Sequence, residues 1–180
     1  MILDKPFNVG HFGEKGQICV IYSTDVHPDG TRFATGGGDH RVKIWSMSPF
    51  TTTAPSTATA AATADRPVHQ QVQDKLRLLA DLPQHTASVQ CVRWSHDGRY
   101  LASASDDHYV LIWELRPGAA SSAPFGSSDA PNVENWTRVW VLRGHTMDVL
   151  DCAWSADDSM VASCSIDNTV IVWRMPAASS

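Results

Sequence analysis

Residues 99–113, RYLASASDDHYVLIW, decide the fold. Two short apolar runs, rich in aromatic and β-branched residues, flank the polar turn Asp106-Asp107-His108. Strand, tight turn, strand is a β-hairpin. Within it, Ser103 precedes Asp107 by four residues, and Asp107 precedes Trp113 by six. The same spacing occurs twice more, at Thr35–Asp39–Trp45 and Ser163–Asp167–Trp173. In two of the three copies a His lies 28 residues before the Trp: His85 before Trp113, and His145 before Trp173. Self-similarity at fixed spacing is the signature of a repeat architecture, whose units bury their faces against one another.

Working outward, VQCVRW ends in Trp94 and VLDCAW in Trp154, each a further strand upstream of its hairpin. RVWVL, 138–142, makes a fourth strand downstream of the second copy. Four short strands per unit, with His and Asp at the turns and Trp closing the third strand, resemble the WD repeat. That family forms β-propeller blades. The resemblance implies an all-β chain of about three blades from an incomplete ring, seven-bladed in the family named below.

The resemblance also implies that the loop His, the strand hydroxyl, the turn Asp and the Trp form a buried hydrogen-bonded chain. It carries this role onto His85, Ser103, Asp107 and Trp113, and onto His145, Ser163, Asp167 and Trp173. Indole and imidazole need partners when buried, and an unpaired buried polar group costs roughly 1–3 kcal/mol. The first copy, with Thr35, Asp39 and Trp45, has Gln17 at the offset of the His, and His11 lies six residues further back. Either a longer loop lets His11 take the place, or the first network is incomplete. The Asp that usually follows the Trp is absent; Ser46, Glu114 and Arg174 stand there.

His145, Ser163 and Asp167 are also the residue types of a hydrolase triad. They recur as a set in the second copy, however, and the sequence has no Gly-x-Ser-x-Gly elbow. A reaction needs one centre, whereas a repeat needs the same bonds in every unit. The paired carboxylates Asp106–Asp107 and Asp157–Asp158 are sequence neighbours at turns, with no opposing acid implied. No enzymatic activity is expected, and no catalytic, metal or cofactor site.

The net charge of −5 gives no basic footprint for nucleic acid. Cys19, Cys91, Cys152 and Cys164 make no Cys-x-x-Cys pair and mostly sit in strand patterns, which fits reduced core thiols in an intracellular compartment. The start, MILDKPFNVG, has no signal-peptide pattern, and no run approaches membrane-span length. His27, His40, His96 and His108 read as turn residues.

The expected organisation is an N-terminal strand and loop (1–17), blade one (18–82), blade two (83–143), a partial blade three (144–174) and a tail (175–180). Met1–Val9 is a candidate strand. An insertion at 48–74, rich in Thr, Ala, Pro and Ser, reads as disordered, and a second insertion at 116–137 is rich in Pro, Gly and Ser. Both fall between third and fourth strands, so they emerge on one face. The opposite face carries the His loops and hairpin turns, which nominates Asp106, His108, Met147 and Ile166 for partner binding. A ring closes at about four to eight blades, so the expectation is a fragment of a longer chain.

Three segments say more than the repeat alone: KPFNVGHFG at 5–13, DVHPDGTRFATGGGDHRVKIWSM at 25–47, and the stretch from Phe125 to Trp173, whose NVENW is not part of the repeat pattern. Together they resemble the amino-terminal part of the HIRA-type histone chaperones. The resemblance implies a non-enzymatic nuclear scaffold in a complex that deposits histones independently of replication. Its implied partners are other subunits of that complex and, directly or indirectly, histones, with no sequence-specific nucleic acid and no membrane. The middle WD subunit of the replication-coupled chromatin assembly factor shares the ENW…LRGH…DV stretch and the SxDNT turn. The first 47 residues favour HIRA over it, and a generic WD adaptor leaves KPFNV and NVENW unexplained.

Overall fold

The computed structural model describes residues 9–13, 16–47, 77–117 and 132–176. Every regular element among them is a β-strand, and every pairing is antiparallel. A two-stranded ribbon, β1 (His11–Phe12) and β2 (Ile18–Cys19), precedes three propeller blades of WD type. Blade 1 is a meander of β3 (Ile21–Val26), β4 (Arg32–Gly37), β5 (Val42–Ser46) and β6 (Leu78–Leu82). Blade 2 comprises β7 (Val89–Trp94), β8 (Tyr100–Ser105), β9 (Tyr109–Leu115) and β10 (Trp136–Arg143). Blade 3 comprises β11 (Val149–Trp154), β12 (Met160–Ser165) and β13 (Val170–Arg174).

The repetition extends to backbone irregularities. Each first strand carries an extra residue opposite its neighbour, at Tyr22, Gln90 and Leu150. Each second turn places a residue at positive φ: His40, His108 and Asn168, types that tolerate the left-handed region. The first turns do the same with Gly30, Gly98 and Asp158. Gly98 is required twice over, because a Cβ there would also come within 2.6 Å of the His27 ring. Asp158 accepts the strained conformation and uses its carboxylate across the seam between blades. It takes hydrogen bonds from the backbone N–H groups of His96 and Asp97 at 2.9 and 2.8 Å.

Apolar side chains fill the two seams. Val42, Ile44 and Ala80 of blade 1 pack with Val92, Trp94 and Leu101 of blade 2, all buried. Val110 and Ile112 of blade 2 pack with Val149, Cys152 and Val161 of blade 3. Polar clamps recur above this packing. The Trp94 indole donates to the Asp25 carbonyl at 3.2 Å, and the Trp154 indole to the Arg93 carbonyl at 3.0 Å. Asp25 Oδ2 and Ser23 Oγ accept the backbone N–H groups of Trp94 and Val92. Cys91 and Cys152 face each other across the second seam as free thiols, with sulfurs 3.8 Å apart.

NVENW, the segment that the repeat does not explain, ties the outer rims of blades 1 and 2. Asn132 receives the Asp81 N–H and donates to the Asp81 carbonyl, and the N–H groups of Val133 and Glu134 both reach the Leu79 carbonyl. Glu134 is held by Arg32 through two contacts of 2.8 Å and accepts the Trp136 indole at 2.8 Å. The ring of Trp136 meets Trp94 edge-on at 5.1 Å. This segment covers the free edge of β6, which would otherwise offer unpaired backbone groups.

The outer strand of blade 2 extends beyond its expected bounds of 138–142 at both ends, because pairing with β9 sets them. Met175, expected to begin the tail, is buried, and its N–H donates to the Ser159 carbonyl. The candidate strand at 1–9 apart from Val9, the insertion at 48–74, most of that at 116–137, and residues 177–180 lie outside the described residues.

Arg32 and Glu134 are each 19% exposed, so solvent screens their pair only in part. Glu134→Ala strands the guanidinium and the Trp136 N–H together. Its expected cost is about 1–3 kcal/mol, read as a lower urea midpoint.

Candidate functional site

A tryptophan N–H can only donate a hydrogen bond, and a carboxylate can only accept one. In blade 2 these two ends are joined through two intermediates. Trp113 Nε1 donates to Ser103 Oγ at 2.9 Å, Ser103 Oγ lies 2.8 Å from His85 Nε2, and His85 Nδ1 lies 2.8 Å from Asp107 Oδ2. The ends set the direction: the Ser103 hydroxyl donates to Nε2, and the Nδ1–H tautomer donates to the carboxylate. The Asp107 carboxylate also accepts the N–H groups of Thr86 and Tyr109, which fixes the His loop against the turn.

Blade 3 repeats the relay through Trp173, Ser163, His145 and Asp167, each step at 2.9 Å. Blade 1 completes it with His11. Trp45 Nε1 donates to Thr35 Oγ1 at 2.9 Å, while His11 lies 2.8 Å from Thr35 Oγ1 and 2.6 Å from Asp39 Oδ1. Of the two alternatives left open for blade 1, the longer loop is the one the geometry adopts. The ribbon β1–β2 brings His11 in from beyond Gln17. Gly37 makes the room, since a Cβ there would sit 2.5 Å from His11 Nδ1. Blades 2 and 3 have Ser105 and Ser165 at that place, bonded to the carbonyls of Ala87 and Met147. Blade 1 adds Lys43, almost buried, with its ammonium 3.1 Å from Asp39 Oδ2.

Burial alone would raise the pKa of Asp39 and of Asp107, but the imidazole bonded to each holds its carboxyl below the usual range. At Asp167 the hydroxyl of Thr169 leads and the His145 bond adds to it, again downward. Ser163, the serine of the triad-like set, is buried with its hydroxyl held between the Trp173 indole and the His145 imidazole, as Ser103 is held between Trp113 and His85. The relay does structural chemistry: it locks loop, turn and two strands of one blade. Among the described residues no group of three His, Cys, Asp or Glu side chains could hold a metal, and no helix is long and apolar enough to cross a membrane.

The four residues nominated for partner binding lie above the relay, on the face of the β8–β9 and β12–β13 turns. Asp106 and His108 flank Asp107; Met147 and Ile166 are half-exposed. Asp148 draws three of them together. His108 Nε2 lies 3.6 Å from its carboxylate, the Ile166 N–H donates to its carbonyl at 3.1 Å, and Met147 precedes it. Asp106 sits apart and accepts the Gln90 amide at 2.9 Å. Asp148, Gln90 and Leu150 went unnamed in the sequence reading. The signal that could have found them is their fixed offset from the relay residues, which repeats from blade to blade.

Ser103→Ala removes the link between indole and imidazole in a fully buried position. It is expected to lower stability by about 1–3 kcal/mol in urea denaturation. The pH dependence has a definite sign. Because the folded carboxyl of Asp107 titrates below its ordinary 3.8, its contribution is complete above that pH and drains away as pH falls below it. Asp107→Asn should therefore flatten the acid limb of a stability–pH curve.

The comparisons with known proteins agree with this geometry. The family model described as the CAF1B/HIR1 beta-propeller domain matches residues 17–180. "Protein HIRA" of Oryza sativa subsp. japonica is 46% identical over 97% of the chain, and "Protein HIR1" of Cryptococcus neoformans is 44% identical over 96%. "Protein HIRA" of Homo sapiens is 41% identical over 97%. The chain spans 16%, 18% and 16% of these relatives' own lengths, respectively. A solved structure, "Structure of U3-55K", superposes with a TM-score of 0.58 at 21% identity, covering 88% of this chain and 37% of that one, which speaks to fold alone. With its relay complete in all three blades and its likeness running from the first to the last of them, the chain belongs to the CAF1B/HIR1 β-propeller family, among relatives that bear the names HIRA and HIR1.

Proposed function

We propose that this chain is part of the docking platform of a nuclear histone chaperone complex, holding subunits together for chromatin assembly independent of DNA replication. One observation carries the reading: identity of 40–46% to HIRA and HIR1 proteins extends over nearly the whole chain. The matched span takes in NVENW, which a generic propeller blade does not need. The rim clamp built from that segment gives its side chains a physical role. The function asks no chemistry of the blades. It asks for a rigid frame with loops held in register, which the buried relays supply.

The test is association in cells. The tagged chain, recovered from nuclear extract, is expected to retain subunits of a HIRA-type complex and to do so whether or not DNA is being replicated. Retention confined to cells in DNA synthesis would transfer the reading to the replication-coupled assembly factor. Recovery with neither set of subunits would end it.

A further inference from the structure

Apart from Met160 at the start of β12, the exposed apolar side chains on blade 3 fall into two groups, and the repeat tells them apart. Val170 and Val172 are 68% and 61% exposed. Their equivalents, Val42 and Ile44 in blade 1 and Val110 and Ile112 in blade 2, are fully buried against the following blade. Their exposure is that of a seam. Met147, Leu150 and Ile166 are 46%, 47% and 42% exposed. They occupy the places of Ala87, Gln90 and Asp106 in blade 2, which stay partly accessible although that blade has a neighbour on each side. An uncovered seam does not account for apolar residues there.

At the same two places the blades carry different chemistry. Blade 2 pairs Gln90 with Asp106 through a 2.9 Å hydrogen bond; blade 3 has Leu150 and Ile166. Backbone bonds hold the apolar step in shape, with the Ile166 N–H on the Asp148 carbonyl and the Ser165 hydroxyl on the Met147 carbonyl. Next to Met147, the Asp148 carboxylate is 41% exposed, with the His108 imidazole of blade 2 at 3.6 Å.

We infer that Met147, Leu150 and Ile166 form an apolar anchor site for an extended segment of a partner protein that carries a bulky aliphatic side chain close to a Lys or Arg. The aliphatic group removes apolar surface from water. A neutral or acidic partner laid over Asp148 would strip water from its carboxylate without replacing it, whereas a cation offsets that cost. The site deepens the docking-platform reading and rests on it for its biological partner.

The experiment pans random linear peptides displayed on phage against the 180-residue chain near neutral pH, then titrates the enriched peptide against variants. The expected peptides share an aliphatic residue within a few positions of Lys or Arg. Affinity should fall about tenfold or more with Ile166→Asp and with Met147→Asp, the scale of losing a central apolar contact. It should fall less with Asp148→Asn and hold with Val172→Thr at the seam. Met147 is a loop residue, so Met147→Asp carries the test if Ile166→Asp does not fold. Failure to enrich such peptides overturns the proposal, as does binding that survives both rim variants or is lost with Val172→Thr. The same variants separate this site from the platform reading. If Met147→Asp still retains the chaperone subunits and enriched peptides map elsewhere, the site falls and the platform stands. Peptide binding that needs Ile166, with no chaperone subunit recovered, has the opposite meaning.

Discussion

Every blade depends on one constraint: a buried indole N–H must find an acceptor, and the acceptor must itself be satisfied. Trp45, Trp113 and Trp173 each donate to a strand hydroxyl. The chain then runs through imidazole to a carboxylate that can accept without donating. In a low-dielectric interior such a chain is worth most when complete, since a single missing member leaves another unpaired. This explains why blade 1, which lacks a His at the common offset, recruits His11 from a separate ribbon and keeps Gly37 to admit it. The constraint is met by changing the loop, not by abandoning the bond.

The blades are rigid units, and what joins them is of a different kind. Apolar packing at the seams is non-directional and would tolerate sliding. Directional groups set the register: the Trp94 and Trp154 indoles on backbone carbonyls, Asp25 on the Trp94 N–H, and Asp158 on two N–H groups of the preceding turn. At the outer rim, Asn132 to Trp136 do the same work for blades 1 and 2. The surface of this frame is less regular than its interior: the extra residue of each first strand is Tyr22, Gln90 and Leu150 in turn.

Much of the fold was legible from spacing. Ser103, Asp107 and Trp113, laid over their equivalents, pointed to hairpins, and hairpins in series to blades. The relay residues were legible for the same reason, because a bond needed in every unit leaves the same letters at the same offsets. NVENW was visible as foreign to the repeat, but its task was not. Its partners Arg32, Leu79 and Asp81 are remote in sequence, and no local pattern announces them. His27 and His96 read as turn residues, and they are, yet each also reaches the turn of the next blade, at Gly98 and Asp158.

Local sequence by itself determined the hairpin strands, their turns and the relay members of blades 2 and 3, because these rest on contacts within one unit at fixed spacing. Only the tertiary structure decided how blade 1 completes its relay, which exposed valines mark a seam, and which residues gather around Asp148. Those outcomes depend on distances between segments far apart in the chain. Periodicity carries no information about such distances until the blades are stacked.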